Sequence, residues 1–198
     1  MTTITASQVQ ELRQRTGVGL MECKRALEET AGDLEQAIDL LRTRGQAKAA
    51  KKAGRAADEG RIESYVHLGA RIGVLIEVNC ETDFVAKTDA FQDLARTLAM
   101  QVAAASPLAV DRDRLDPEVV EREAAIYRQQ AVDSGKPAEI VEKITAGKLE
   151  KWYQEVCLLD QAFIRDHDRK VSDVVTEAVQ RLGENIVVRR FTRFEVGA

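Results

Sequence analysis

The chain has 198 residues, 31% of them charged and 44% hydrophobic, with a formal net charge of −4. That length suits one or two domains with a sizeable core, and the composition is that of an ordinary globular protein. The acidic balance argues against a dedicated nucleic-acid binder. No apolar run approaches the roughly 18 residues of a membrane-spanning helix, so no membrane partner is expected.

Cys23, Cys80 and Cys157 are odd in number and far apart, which predicts reduced thiols rather than a disulfide framework. The opening Met1-Thr2-Thr3-Ile4-Thr5 has neither the basic patch nor the apolar stretch of a secretion signal, and a bacterial cytosol is the expected location. Charge is spread unevenly. Residues 1–57 hold 10 basic and 7 acidic residues, and the remainder holds 19 and 26.

In chain order, Thr5 and Gln8 form a capping box that opens a helix with Val9 and Leu12 on one face. Gly17 and Gly19 bracket a tight turn. Leu20, Cys23 and Leu27 then recur at helical spacing. Gly32-Asp33 ends that helix, Asp33 with Gln36 offers a second capping box, and Leu34, Ala37, Ile38 and Leu41 line a third helix. Three short helices with apolar faces predict a compact bundle. Arg42–Ala57 follows, with six basic residues and no acidic ones. If helical, it carries Arg44, Lys48, Lys51, Lys52 and Arg55 on one face, either as a solvated linker or as a docking stripe for an acidic partner or RNA.

From Gly60 the period becomes two. Ile62, Ser64, Val66 and Leu68 alternate with Glu63, Tyr65 and His67, Gly69-Ala70 is a hairpin turn, and Ile72–Val78 returns as a second strand. Phe91, Leu94, Leu98 and Val102 form the stripe of a helix over Asp89–Ala105, stopped by Ser106-Pro107. Asp116-Pro117 opens another helix with Val120, Ala124 and Tyr127 on one face. After Gly135-Lys136-Pro137, a further helix runs from Ala138 towards Cys157 with a bend near Gly147. Ser172–Leu182 is a last amphipathic helix ended by Gly183, and Ile186–Glu195 closes the chain as a strand. The fold class is α+β. A three-helix module with its basic linker spans residues 1–56, and residues 57–198 form a core of a three-stranded antiparallel sheet with helices on one side.

The alternation of Ile72, Val74, Ile76 and Val78 stops at Asn79. Glu81, Thr82 and Asp83 are polar and turn-prone, and Phe84 follows directly. A large aromatic on a polar loop is costly unless the chain's own core or a partner covers it.

Little here suggests bond-making chemistry. Thr16-Gly17-Val18-Gly19 hints at a phosphate loop, but Glu22 stands where a dinucleotide fingerprint needs glycine and no Gly-Lys-Ser/Thr occurs. Asp166-His167-Asp168 reads as a solvated loop, since His67 is remote and no cysteine pair has zinc spacing. Glu81 and Asp83 lack an accompanying nucleophile or histidine. No enzyme activity, cofactor or metal is expected.

Three blocks carry a resemblance. The first is Val9-x-x-Leu12-Arg13-x-x-Thr16-Gly17-Val18-Gly19-Leu20-Met21-Glu22-Cys23-Lys24-x-Ala26-Leu27, the second Glu77–Lys87, and the third Gly183-Glu184-Asn185-Ile186-Val187-Val188-Arg189-Arg190-Phe191. In this order they resemble the bacterial elongation factor Ts family, whose members exchange guanine nucleotide on the translational GTPase elongation factor Tu. The resemblance implies that the helical module is ubiquitin-associated-like and grips the GTPase through Leu12, Arg13, Thr16, Gly17, Val18, Gly19 and Met21.

It further implies that Asp83 and Phe84 intrude between two helices of the GTPase and disturb its magnesium and phosphate site. Asn79, Thr82, Val85 and Lys87 are the neighbouring partner-binding candidates. Thr82 is expected to cap the turn, Asp83 to bond within the wedge or to the partner, and Lys87 to pair with carboxylates. Val18 and Met21, beside the glycine turn, are expected to face the partner. The spacing of Leu12 and Leu20 predicts burial, and Cys23 and Cys80 read as small buried residues. The chain holds one copy of the family's core unit, so a homodimer is expected to complete the architecture. The rival reading is an RNA- or ribosome-binding accessory protein that uses the Arg42–Arg55 stripe.

Overall fold

The computed structural model describes residues 4–197. Met1, Thr2 and Thr3, which bear on the expected absence of a secretion signal, and Ala198, the last residue of the expected core, lie outside the described residues. The chain divides into two compact units. One comprises the chain up to Arg61, Asn79–Leu94 and Val175–Val187; the other comprises Ile62–Val78, Ala95–Val174 and the residues from Val188 onward.

The first unit opens with α1 (Ala6–Thr16), α2 (Leu20–Glu29) and α3 (Leu34–Lys52). At the start of α1 the Thr5 hydroxyl accepts from the Gln8 amide at 3.3 Å and Gln8 Oε1 accepts from the Thr5 amide at 2.9 Å, the reciprocal box expected from the sequence. Asp33 caps α3 by accepting from the Gln36 amide at 2.9 Å. The Gln36 side chain returns to the Asp33 carboxylate instead of its amide. The three helices close on Val9, Leu12, Val18, Cys23, Ala26, Leu27, Ala37 and Leu41. Burial of Cys23 pushes its thiol pKa up.

α3 does not stop where its apolar stripe ends. It continues through the basic segment to Lys52, so the expected third helix and linker are one element. Gly45 is buried in it, and a Cβ at that position would collide with the Gln180 side chain.

The sheet has the order β1 (Glu59–Val66), β2 (Ile72–Cys80) and the C-terminal strand. The β1–β2 hairpin turns at Gly69-Ala70 as expected, closed by the His67 amide donating to the Ile72 carbonyl at 2.9 Å. The inner face of β2 is Val74, Ile76, Val78 and Cys80, all buried. In β1 the alternation leaves the inward face open. Ile62, Val66 and the following Leu68 are exposed, while Arg61, Glu63 and Tyr65 are half-buried. A period of two fixes which residues share a face but not which face turns inward.

α4 (Asp83–Ala86) is a single short turn, and α5 (Asp89–Ala105) buries Phe91, Leu94, Leu98 and Val102 as its stripe predicts. α6 (Pro117–Asp133) is capped by Asp116 with proline at its start. It pairs with α7 (Ala138–Val156), which runs unbroken past Gly147 without the expected bend. β3 (Ala162–Phe163) and β4 (Asp166–Lys170) form a second, two-stranded antiparallel sheet. Asp166, His167 and Asp168 therefore belong to a strand, not the expected loop. His167 and Asp168 are exposed and Asp166 is half-buried.

α8 (Val171–Leu182) ends at Gly183, whose φ of 79° is the left-handed conformation that favours glycine. β5 (Val187–Glu195) completes the main sheet.

Two polar devices organise the second unit. Gln101, fully buried, donates to Gln161 Oε1 and the Ala162 carbonyl, both at 3.1 Å, and accepts from the Ile164 amide at 2.8 Å. A buried amide with its bonds satisfied specifies geometry where an apolar side chain would only fill space. Arg112 reaches Glu150 and Asp160 at 2.6–2.8 Å and lies 4.7 Å from the Tyr153 ring centre. These carboxylate bonds raise the guanidinium's already high pKa. Beside it Cys157 is buried with Ala109 and Leu115. Desolvation raises its thiol pKa to about 11. Among the described residues no helix is long and apolar enough to cross a membrane.

Candidate functional site: the Phe84 loop and the N-terminal turn

Phe84 sits on α4, directly after β2 ends, and is 75% exposed. Of the two readings left open by the sequence, the structure removes one: the chain's own core does not cover this ring. The reason lies in its neighbours. Val85 and Ala86 turn inward and are buried at 8% exposure each, and on a single helical turn the residue before them must point out. The loop spends Val85 as its anchor and presents Phe84.

Thr82 fixes the loop through every polar group it has. Its amide donates to Glu184 Oε2 at 3.0 Å and its hydroxyl donates to Glu184 Oε1 at 2.7 Å. The hydroxyl also accepts from the Val85 amide at 3.4 Å, the expected cap. Its carbonyl accepts the Cys80 thiol at 3.2 Å and the Ala86 amide at 3.3 Å. Desolvation, reinforced by the nearby Glu184 carboxylate, raises the Cys80 thiol pKa to about 11.

Asp83 bonds within the wedge. Lys87 Nζ donates to its carboxylate at 2.5 Å, an i,i+4 pair on the surface. That bond holds the Asp83 carboxyl below its usual range and Lys87 above its own. Glu81 and Asp83, two positions apart in sequence, face different partners: Glu81 accepts from the Asn185 amide at 2.6 Å and pairs with Arg55 at 3.4 Å. Asn79 is half-buried at the end of β2, with an Oδ1 that has no hydrogen-bond partner.

The N-terminal candidates split into core and surface. Gly17 ends α1 with φ of 67°, its amide donating to the Arg13 carbonyl at 2.8 Å. Thr16 donates its hydroxyl to the Leu12 carbonyl at 2.7 Å. Leu12 is fully buried, as its spacing predicts, while Arg13, Gly17 and Gly19 are exposed. Met21 is 64% exposed, as expected. Val18 and Leu20 exchange roles relative to expectation. Val18 is buried and its carbonyl accepts the Cys23 thiol at 3.5 Å, whereas Leu20 is 47% exposed. The left-handed Gly17 turns the chain so that Val18 points into the bundle. α2 then begins at Leu20, and its inward face starts one turn later at Cys23.

The basic stripe is engaged within the protein. Arg44 pairs with Glu29 at 2.6 Å, Lys48 with Glu22, and Arg55 with Glu81, while Lys52 donates to the Gly183 carbonyl. Four of the five cations expected on one face have partners within the protein. None of those partners is near in sequence. Among the described residues no group of three or more His, Cys, Asp or Glu is arranged to hold a metal. Sequence reasoning missed Glu184 and Asn185 as supports of the loop. Their motif was visible, but nothing in it indicates a reach of about a hundred residues.

These features describe an α+β protein with a helical N-terminal module and a braced loop that presents one aromatic side chain to solvent. The family model for elongation factor Ts matches residues 5–198. The chain is 58% identical to elongation factor Ts of Carboxydothermus hydrogenoformans, over 98% of this chain and 89% of that protein. It is also 58% identical to that of Moorella thermoacetica, over 98% and 96%, and 54% identical to that of Caldanaerobacter subterraneus subsp. tengcongensis, over 98% and 97%. The chain belongs to the elongation factor Ts family, and its role is that of a translation elongation factor.

Proposed function

We propose that the protein is the guanine-nucleotide exchange factor of elongation factor Tu, acting in the bacterial cytosol without covalent or acid–base chemistry of its own. The observation that carries this reading is Phe84, held out into solvent on a loop whose other large apolar residue is buried. An exchange factor binds best to a GTPase state that holds nucleotide poorly, and by linkage nucleotide expels the factor as strongly as the factor expels nucleotide.

An acceleration of a thousandfold to a hundred-thousandfold needs about 4–7 kcal/mol. Burying one phenylalanine supplies about 1.5–3 kcal/mol. A wedge therefore needs a second grip, and the exposed Met21, Leu20 and Arg13 around the Gly17 turn supply that surface. The direct test is release of labelled GDP from elongation factor Tu with and without this chain. Release at the uncatalysed rate at saturating protein retires the proposal. The RNA-binding alternative gains no support from the stripe, since four of its five cations have partners within the protein.

The same proposal includes a homodimer. Ile62, Val66, Leu75 and Phe194 are exposed on the outer face of the main sheet, beside the 2.7 Å Arg190–Glu77 ion pair. A sheet with one covered face gains a second layer from a copy of itself, and a two-fold pairing buries the same patch twice. In sedimentation the chain is expected to run as a dimer at micromolar concentration, and Ile62→Asp with Phe194→Asp is expected to yield a folded monomer. A concentration-independent monomer for the unaltered chain counts against the pairing.

A further inference from the structure

We infer that Glu184 is a positioning residue for the wedge, holding the Phe84 loop in the conformation that inserts; this rests on the exchange role proposed above. The two loops are locked by reciprocal carboxylate-to-backbone bonds. Glu184 Oε2 accepts the amides of Glu81 and Thr82 at 3.1 and 3.0 Å, and its Oε1 accepts the Thr82 hydroxyl at 2.7 Å. In return Glu81 Oε1 accepts the amide of Asn185 at 2.6 Å. Asn185, itself buried, donates its side-chain amide to the Arg55 carbonyl at 2.8 Å, and Arg55 closes on Glu81.

Three segments far apart in sequence therefore meet at the two residues before Asp83: the stretch after α3, the end of β2 and the loop after α8. Glu81 and Glu184 are half-buried and Asn185 is buried, so these side chains act by holding the loop rather than by presenting a surface. A four-residue helix has too few internal bonds to hold its own shape. Without Glu184, two amides and a hydroxyl at the root of α4 lose their acceptor, and the loop must be ordered at the moment of binding. Pre-ordering a loop adds affinity by removing that entropic cost. The clamp thus converts an exposed aromatic, which water would otherwise fold back onto the surface, into a wedge of fixed direction.

The test is a double-mutant cycle on the full chain, read as labelled GDP release from elongation factor Tu per folded molecule, with melting measured in parallel. Glu184→Ala is expected to slow release roughly tenfold, the scale of one lost ordering contribution. Thr82→Val keeps the side-chain shape but removes the hydroxyl that Glu184 accepts. It is expected to slow release in the same direction and serves as the readout if Glu184→Ala does not fold.

The deciding measurement is the same pair of changes in a Phe84→Ala background. If Glu184 acts through the wedge, they have less than about a twofold further effect there. Equal losses in both backgrounds, or full activity of both single variants, overturn the inference. If Phe84→Ala alone releases GDP as fast as the unaltered chain, the wedge itself falls and the clamp with it. A slow Phe84→Ala with normal Glu184→Ala removes only the clamp.

Discussion

Phe84→Ala is expected to leave the melting free energy within about 0.5 kcal/mol of the unaltered protein, the range of a surface substitution. GDP release from elongation factor Tu is expected to slow about ten- to hundredfold, because about 1.5–3 kcal/mol of burial in the nucleotide-poor complex is lost. The two readouts separate because the ring is 75% exposed in the free protein, while the proposed wedge is covered only in the complex. Had the ring been part of the core, the same change would cost about 3–5 kcal/mol of folding stability. A strongly lowered melting temperature with normal exchange would contradict both the exposure and the wedge. The ion pair of Asp83 and Lys87 is not expected to compensate, since a surface pair of this kind contributes little.

Leu12→Ala is expected to have the opposite signature. The side chain is fully buried among Val9, Cys23, Leu27 and Leu41. Its loss costs about 2–5 kcal/mol, with a fall in melting temperature of roughly 2–4 °C for each kcal/mol in a chain of this size. Met21→Ala, at 64% exposure, is expected to melt normally yet bind elongation factor Tu more weakly by calorimetry. The contrast matters because the family resemblance places both residues in one signature. Leu12 lies in the core of the bundle, and Met21 lies on its surface, where the proposed grip would use it. A normal melting curve for Leu12→Ala would show that the bundle closes without it.

Much of the local structure was legible because local physics determines it. The capping groups of Thr5 and Asp33, the alternation in β2, the stripe of α5 and the glycine stop at Gly183 all act within a few residues, and each is found where expected. The inward face of β1 was not legible. Ile62 and Val66 are the more apolar set, yet they lie outside, and hydropathy cannot foresee an exterior apolar face. The fate of the basic stripe was hidden for another reason. Arg44, Lys48, Lys52 and Arg55 look free until Glu29, Glu22, Gly183 and Glu81 are brought to them by the fold. At the site, the position of Phe84 at the end of a strand was readable. The Glu184–Thr82 bond that aims it depends on a tertiary arrangement that no spacing encodes.

The three buried cysteines also make the molecule its own set of opening sensors. Cys23 lies in the helical module, Cys80 at the root of the wedge loop and Cys157 in the second unit, each with its thiol buried. A thiol pKa of about 11, as at Cys80 and Cys157, leaves only about one thiolate in a thousand at pH 8, and the thiolate is the reacting species. Alkylation must therefore wait for a local opening that brings the sulfur to water and restores its ordinary acidity. The three labelling rates read the opening free energies of three separate regions in one unmodified chain. At Cys80, whose proton is held by the Thr82 carbonyl, the rate follows how often the wedge loop lets go of its base.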